Sequence, residues 1–200
     1  MYDFRKMTPE MRAEVVALRK AKGLPWHSPP HGKMGYSDRY LVSAACYEHQ
    51  RYIGLNPERM SECEKGLLSV CEGLGCEVHA WCVLPNHYHL LLKSGAIKSL
   101  CHEIGKFHGR SSRQWNQEES RAGRKVWYRC FDREIRSERH FYASLNYVHH
   151  NPVHHGYAEK WMDWPWSSAS LFLEQIGREE AERIWRTYPI LDYGKKWDID

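Results

Sequence analysis

Short runs rich in apolar residues predict four short β-strands along the chain. The four segments are residues 40–47, 78–84, 85–92 and 126–135. The second and third meet at Pro85 and Asn86, which indicates a hairpin. Because successive side chains of a strand point to opposite faces, His87 and His89 share one face of the sheet. The other face receives the larger side chains of the same strand, which are Tyr88, Leu90 and Leu92.

Apolar residues at helical spacing predict helices between and after these strands. They cover residues 57–73, 97–117 and 137–151. Asn56 and Ser137 are suited to cap the first and third helix, and Pro152 predicts that the third helix ends at Asn151. The order strand, helix, strand, strand, helix, strand is typical of the ferredoxin-like (RRM-like) α+β fold. We therefore expect an antiparallel sheet with two helices on one face and the other face free.

Composition narrows the class of protein. Hydrophobic residues make up 42% and charged residues 27% of the 200 positions, which indicates a soluble globular protein with a core. No apolar run approaches the ~20 residues of a membrane span, and no apolar segment follows Met1 to Arg5 as in a signal peptide. Seven cysteines without a CxxC pair favour reduced thiols in the cytoplasm. The net charge of +4 with 13 His, 9 Trp and 12 Tyr suits a nucleic-acid partner, but also suits many enzymes.

His87 and His89 are candidate metal ligands. Two neutral imidazoles on the same face of a rigid strand can hold a divalent cation. The simpler interpretation is that both are polar residues on a solvated sheet face, because strand alternation alone produces a His-x-His pattern.

A second candidate group lies on the helix predicted for residues 137–151. Phe141, Leu145 and Val148 form its apolar stripe, while Tyr147 and Asn151, four residues apart, are neighbours on another face. A phenol beside an amide oxygen, brought to two imidazoles, is a workable site for cleaving a phosphodiester. The alternative is that Tyr147 is an aromatic side chain packed at the helix edge.

A row of basic residues follows one face of the helix predicted for residues 97–117. The row, which we call the basic row, contains Lys98, His102, Lys106, Arg110 and Arg113. Acidic residues are nearly absent from it, which favours contact with phosphates. A charged row is also the usual appearance of a solvated helix face. We predict DNA binding by Lys98, Lys106, Arg110 and Arg113.

Four motifs in order resemble those of the single-tyrosine HUH transposases, in the REP-associated tyrosine transposase branch. The first is the strand Trp81-Cys-Val-Leu-Pro-Asn-His-Tyr-His89. The second and third are Phe131-Asp132 through Ile135-Arg136, and Tyr147-Val-His-His-Asn-Pro-Val-His-His-Gly156. The fourth is Trp164-Pro-Trp-Ser-Ser168. The resemblance covers roughly residues 39–173, which predicts a transposase domain with an N-terminal extension, residues 1–38, and a C-terminal tail, residues 174–200.

The resemblance also implies roles for individual residues. It implies His87 and His89 as metal ligands, Asn151 as the third ligand (many relatives have Gln there) and Tyr147 as the nucleophile. Two nitrogens, one oxygen and no thiolate suit Mg²⁺ or Mn²⁺. The family has the ferredoxin-like fold and cuts single-stranded DNA at hairpins, commonly as a dimer. Outside the match, we predict a helix over residues 8–22, capped by Thr8, and one over residues 176–185.

The leading hypothesis is a transposase that nicks and rejoins hairpin-containing single-stranded DNA through a covalent phosphotyrosine. We expect a cytoplasmic, nucleoid-associated protein that can form a homodimer and has no membrane partner. A second hypothesis is a domesticated protein that binds hairpin nucleic acid without cleaving it. A third is a metal hydrolase built from other histidines, namely His149, His150, His154 and His155. Those residues surround a proline turn, not one face, which disfavours the third hypothesis.

Overall fold

The computed structural model describes residues 8–21, 37–191 and 193, arranged in two units that divide after residue 34. In the first unit, helix α1 spans Pro9–Ala21, and the Thr8 hydroxyl accepts a hydrogen bond from the Met11 N–H at 3.3 Å. The predicted helix and its cap are therefore confirmed. The remainder of the predicted extension, residues 1–7 and 22–36, lies outside the described residues.

The second unit is built on a four-stranded antiparallel sheet. Its strands are β1 (Arg39–Ala45), β2 (Glu77–Val83), β3 (His87–Lys93) and β4 (Phe131–Glu134). Their order across the sheet is β2-β3-β1-β4. Helix α2 (Pro57–Gly73) lies between β1 and β2 in sequence, and helix α3 (Ile97–Glu118) lies between β3 and β4. This order and pairing confirm the predicted ferredoxin-like fold.

Helices α2 and α3 pack on one face of the sheet, which we call the α2/α3 face. Tyr88, Leu90 and Leu92 of β3 point into this layer, as the alternation predicted. The helices contribute the apolar residues Met60, Cys63, Leu67, Leu100 and Ile104 to the same core. The Asn56 side chain accepts from the Arg59 N–H at 2.8 Å, so the predicted cap of α2 is also confirmed.

The opposite face, which we call the histidine face, carries helix α4 (Glu138–His154). The expectation that this face is free was therefore wrong. Leu41 and Leu91 point to this side and pack with Leu145 and Val148 of α4. An amphipathic helix needs such an apolar surface to bury its own stripe, which is the physical reason for its position. The Ser137 hydroxyl caps α4 by accepting from the His140 N–H at 3.1 Å, as predicted.

The end of α4 differs from the prediction. The helix continues through Pro152 to His154, so Asn151 lies inside its last turn. Pro152 cannot donate to the carbonyl four residues earlier, but the helix loses only that bond. The next turn closes normally, because the His155 N–H donates to the Asn151 carbonyl at 3.1 Å.

Two other segments differ in extent from the prediction. The fourth strand has four residues, and Trp127 forms only an isolated bridge with Cys46. In place of one helix over residues 176–185 there are two, α5 (Ala169–Ile176) and α6 (Arg178–Thr187). Gly177 separates them with a φ of 79°, a conformation that glycine adopts without strain. None of the described helices is long and apolar enough to cross a membrane.

Arg59 is expected to be important for stability. Its side chain is 4% exposed and forms ion pairs with Glu118 at 2.6 Å and Glu119 at 2.7 Å, which join α2 to the end of α3. Arg59→Ala should reduce the free energy of unfolding by about 2–3 kcal/mol, because both carboxylates lose a buried partner. Urea denaturation measures the change. The control Arg183→Ala removes a 60% exposed partner of Glu180 and should change stability by less than about 1 kcal/mol.

Candidate active site

Strand β3 places both candidate histidines on the histidine face, beneath helix α4. His87 and His89 are each 2% exposed, and their ring centroids are 5.1 Å apart. In the register of the sheet, His87 lies opposite Ala45 and His89 lies opposite Ser43 of β1. The shared face follows from strand alternation, whereas the burial follows from α4. The interpretation as solvated polar residues is therefore wrong.

Hydrogen bonds orient both imidazoles. The Ser43 hydroxyl lies 2.6 Å from His89 Nδ1, and Asn86 Oδ1 lies 2.8 Å from His87 Nδ1. The Asn86 amide is itself fixed, because its Nδ2 donates to the His49 carbonyl at 3.3 Å. Asn86 Oδ1 therefore accepts from His87 Nδ1–H, which leaves Nε2 of His87 with its lone pair. Such partners of Nδ1 are what orients histidines that bind metals.

Asn151 meets His87 on the inner side of the site. Its Oδ1 lies 3.0 Å from His87 Nε2, and the residue is 1% exposed. Its Nδ2 has no hydrogen-bond partner in the described part of the chain. The lone pair of His87 Nε2 thus faces the amide oxygen of Asn151, and a cation between these two atoms would bind both. The separation also matches two ligands at right angles around an octahedral ion at about 2.1 Å. His87 and Asn151 therefore fit a small divalent cation, and the His89 ring lies beside His87 on the same face, with its centroid 5.1 Å away.

Tyr147 completes the group from the same helix as Asn151. Its hydroxyl lies 3.4 Å from His89 Nε2, and the two ring centroids are 5.0 Å apart. Tyr147 is 5% exposed. The other tyrosine of the helix, Tyr142, stacks on Tyr188 at 4.7 Å. The structure thus brings all four candidate residues together: His87 and His89 from β3 with Tyr147 and Asn151 from α4.

Two further aromatic side chains cover this group. The His155 ring lies 4.9 Å from that of His87, and the Tyr193 ring lies 5.7 Å from that of Tyr147. The Tyr193 hydroxyl contacts Ser144 and lies 3.1 Å from His140 Nε2. Burial raises the pKa of Tyr193 above its ordinary value. The His155 and Tyr193 rings therefore contribute to the burial of His87 and Tyr147.

Several of these contributors escaped the sequence analysis. Ser43 and Asn86 were detectable in principle, because β1 pairs with β3 and Asn86 directly precedes His87. Tyr193 carried no such signal, since it follows the last helix and reaches α4 only through the tertiary fold.

The Trp-Pro-Trp-Ser-Ser segment attaches to the outer edge of the sheet. The Val83 N–H donates to the Trp166 carbonyl at 2.8 Å, and the Ser168 hydroxyl accepts from the Trp81 N–H at 2.9 Å. The same hydroxyl lies 3.0 Å from His149 Nε2. Burial lowers the pKa of His149 to about 3, so this imidazole is neutral. The segment covers the open edge of β2 and ties it to α4.

The remaining histidines do not form a second metal site. In residues 8–21, 37–191 and 193, no three His, Cys, Asp or Glu side chains come together as metal ligands. His149 Nε2 is hydrogen-bonded to the Ser168 hydroxyl, and the His155 ring lies edge-on against the His87 ring. This arrangement does not support the hydrolase hypothesis.

The basic row lies on the exposed side of α3. All of its residues are exposed, namely Lys98, His102, Lys106, Arg110 and Arg113. Helix α3 packs on the α2/α3 face, so the row lies across the sheet from His87 and His89. Glu103 lies within it and accepts from Lys106 at 2.8 Å, which lowers the pKa of this carboxyl. The row is thus less uniformly basic than the sequence suggested, and its binding of DNA stays a prediction.

Comparisons with known proteins give consistent results. The family model described as transposase, IS200 like, matches residues 36–151, a segment that includes all four residues of the site. A putative REP-associated tyrosine transposase of Haemophilus influenzae is 30% identical over 119 residues, which cover 54% of this chain and 68% of the relative. The REP-associated tyrosine transposase of Escherichia coli K12 is 31% identical over 94 residues, 46% of this chain and about half (53%) of that relative.

The fold has a counterpart among solved structures. The structure of a REP-associated tyrosine transposase bound to a REP hairpin superimposes with a TM-score of 0.57. The alignment covers 86% of this chain and 92% of the other at 20% sequence identity, a level that supports a shared fold.

Proposed function

The chain belongs to the IS200-like transposase family, in its REP-associated tyrosine branch, and on this premise we propose that it nicks and rejoins single-stranded DNA that carries a hairpin. The observation that carries the proposal is the convergence of Tyr147 with His87, His89 and Asn151. A phenol 3.4 Å from an imidazole nitrogen, beside an amide oxygen, is a suitable nucleophile in a suitable setting.

The proposed reaction has two steps that mirror each other. The Tyr147 oxygen forms a bond to phosphorus while the bond from phosphorus to a sugar oxygen breaks. The phenol gives up its proton and the departing sugar oxygen takes one, which leaves a phosphotyrosine and a free sugar hydroxyl. Attack by the hydroxyl of another strand end then restores the phenol and joins the strands. With Nδ1 bonded to Ser43, His89 directs its Nε2 at the tyrosine hydroxyl.

We further propose that His87, His89 and Asn151 hold Mg²⁺ or Mn²⁺. The donor set has two imidazoles and one amide oxygen, which leaves positions for water and phosphate oxygens. When bound, the ion would neutralise charge that develops on the phosphate. Asn86 and Ser43 fix the orientation of the two imidazoles, and α4 excludes bulk water from the group.

A DNA hairpin is the proposed substrate because the structural neighbour is described in complex with a REP hairpin. All four residues of the site come from a single chain. The proposed chemistry therefore needs no tyrosine from a second subunit, although a homodimer is compatible with it.

The second candidate function is a protein that binds hairpins without cleaving them. The burial of the reacting groups favours it, because Tyr147 is 5% and His87 2% exposed. Cleavage then depends on whether DNA displaces the covering side chains.

A covalent-adduct assay separates the two candidates. The full chain is incubated with a library of single-stranded hairpin oligonucleotides and Mg²⁺ or Mn²⁺, then denatured and separated by size. The transposase proposal expects a protein–DNA adduct with a subset of hairpins. Binding to hairpins without any adduct would identify the non-cleaving protein instead.

The basic row is expected to bind the DNA backbone away from the cleaved phosphate. Replacing Lys106 and Arg110 with Ala should weaken binding to different hairpins about equally. It should also reduce the slope of log K against log salt by roughly 1.8, for two phosphate contacts to duplex. The rate of adduct formation at saturating DNA should not change, since the row lies across the sheet from the site.

The matched control for the basic row replaces Arg183 and Arg186 with Ala. Both residues are exposed on α6, and their replacement removes the same amount of charge. Its salt slope should equal that of the wild type. An unchanged slope in the Lys106 and Arg110 variant would place the DNA elsewhere on the protein.

A further inference from the structure

We propose that Tyr47 and Tyr128, which we call the tyrosine pair, stack an unpaired base of the DNA strand beside the cleaved phosphate, and that Lys125 binds the adjoining backbone. The inference rests on the proposed function and specifies how its substrate is held. The ligand is thus single-stranded DNA, recognised by the π-face of a base and one phosphate.

The backbone brings the tyrosine pair together at the end of β1. The Tyr47 N–H donates to the Val126 carbonyl at 2.7 Å, and the Tyr128 N–H donates to the Ala45 carbonyl at 2.9 Å. Between these two bonds, Cys46 and Trp127 form a bridge and point into the α2/α3 core. Tyr47 and Tyr128 therefore flank this bridge, and Tyr47 is two residues from Ala45, which lies opposite His87 in the sheet.

The geometry of the tyrosine pair suits stacking. The two ring centroids are 5.1 Å apart with an angle of 50° between the planes, and both residues are only partly buried. Rings inclined in this way present an aromatic surface on which an unpaired base can stack. Base–aromatic stacking tolerates any base, so a platform of this kind binds single strands without reading their sequence.

The tyrosine pair is directly connected to the candidate metal ligand His87. The Cys46 N–H, next to Tyr47, donates to the Asn86 carbonyl at 2.7 Å. The Asn86 side chain donates to the His49 carbonyl in the turn after Tyr47 and accepts from His87 Nδ1. The turn therefore touches the residue that orients His87. A base on this platform would belong to the same strand as the phosphate at the active site.

Lys125 supplies the charge that a nucleotide requires. Its Nζ lies 4.5 Å from the Tyr47 ring centroid and 5.4 Å from that of Tyr128, and the side chain is exposed. Within the described residues Lys125 forms no ion pair, whereas Arg124 over Tyr52 is bound by Glu119 at 2.8 Å. A cation next to aromatic rings is the combination that single-stranded nucleic-acid sites use.

The turn that carries Tyr47 is strained. Glu48 and His49 have φ values of 53° and 52°, a left-handed conformation that residues with a Cβ adopt at a cost. The Tyr128 hydroxyl accepts from the Glu48 N–H at 3.1 Å and donates to its carboxylate at 3.0 Å. Glycine or asparagine would form such a turn more easily. Strain of this kind persists mainly where function requires the geometry.

The test is a binding experiment in EDTA, so that cleavage does not contribute. The probe is a hairpin oligonucleotide with a single-stranded flank of about eight thymidines on each side, in which one position at a time is abasic. Wild-type protein should lose about 10-fold in affinity when one particular base next to the hairpin is missing. Fluorescence anisotropy gives the dissociation constants.

The variants decide whether the tyrosine pair is responsible. Tyr47→Leu and Tyr128→Leu should each bind the intact probe about 10-fold more weakly and no longer respond to the abasic position. Tyr47→Phe keeps the ring and should bind within about 2-fold of wild type. The control Tyr52→Leu removes the ring of another aromatic–cation pair, Tyr52 with Arg124, and should bind normally. Lys125→Met should make the salt slope shallower by roughly 0.7.

Failure of this inference is distinguishable from failure of the proposed function. If the Leu variants bind like wild type, or if Tyr47→Phe loses as much affinity as Tyr47→Leu, the tyrosine pair does not stack a base. That result leaves the wild-type adduct assay unaffected. If no hairpin forms an adduct, the proposed cleavage fails. The tyrosine pair is still supported in that case if the affinity depends on one base and the Leu variants abolish this dependence. Thermal melting of each variant identifies any that fails to fold. If a Leu variant does not fold, the Phe variant and the abasic scan of the wild type decide whether the tyrosine pair stacks a base.

Discussion

Tyr147→Phe is expected to abolish formation of the covalent protein–DNA adduct, with a loss of more than about 10³-fold. The substitution removes one oxygen, the atom that lies 3.4 Å from His89 Nε2 and is proposed to attack phosphorus. The aromatic ring remains in its packing against Tyr193 and the α4 core. Folding and hairpin binding should therefore be retained, which circular dichroism and anisotropy can verify.

Tyr142→Phe is the matched control on the same helix. Five residues turn an α-helix by roughly 500°, so the two phenols point about 140° apart. Tyr142 accordingly stacks on Tyr188 and does not reach the histidines. This variant should form the adduct at the wild-type rate. Mass spectrometry of the trapped adduct identifies the modified residue, and a phosphopeptide carrying Tyr142, or an adduct that persists in Tyr147→Phe, would overturn the mechanism.

The tyrosine requires activation at neutral pH. A phenol has a reference pKa near 10 and is mostly protonated at pH 7. Its attack on phosphorus therefore depends on a nearby acceptor for the proton and on neutralisation of charge at the phosphate. The Tyr147 hydroxyl lies 3.4 Å from His89 Nε2, and Ser43 holds that ring by Nδ1. When His89 Nε2 binds the proposed ion, its lone pair is no longer available, so the phenol proton passes to water or to a phosphate oxygen. Hairpin binding does not require this activation, whereas formation of the adduct does, so the adduct reports on the proposed chemistry.

Local periodicity was sufficient to predict the two halves of the site. His87 and His89 share a face because a strand repeats every two residues, and Tyr147 lies next to Asn151 because a helix places residues four apart together. Both arrangements are local, so they do not depend on how the strand and the helix pack against the rest of the fold. The caps Asn56 and Ser137 were predictable for the same reason, since each acts within one turn.

Long-range packing was not predictable from such patterns. The order of elements led to an expected free sheet face, whereas Leu41 and Leu91 receive the apolar stripe of α4 there. Tyr193 reaches the site through the tertiary fold, and neither pattern of spacing signals its contribution. The division of the chain at residues 38 and 173 stays a prediction; α5, Ala169–Ile176, runs across the second of these positions.

Removal of either histidine that is proposed to bind the metal should have the second large effect. His87→Ala and His89→Ala are each expected to reduce metal-dependent adduct formation by more than about 10²-fold, because two of the three proposed ligands cannot hold the ion alone. Each substitution leaves the apolar packing of β3 with α2 and α3 intact, since Tyr88, Leu90 and Leu92 lie on the other face. Chelation of the wild-type protein with EDTA should reproduce the loss, and added Mg²⁺ or Mn²⁺ should reverse it.

Direct measurement of Mn²⁺ binding provides a test that does not depend on cleavage. Electron paramagnetic resonance of free Mn²⁺ should report one bound ion per wild-type chain and weaker binding in His87→Ala and His89→Ala. His79→Ala is the matched control: His79 lies on the neighbouring strand β2, where its ring contacts Phe141, and it should bind the ion as the wild type does. Unchanged adduct formation in either His87→Ala or His89→Ala would reject the metal assignment. In that case the lone pair of His87 Nε2 and the amide of Asn151 must be satisfied by each other, through a rotated amide that donates to the ring.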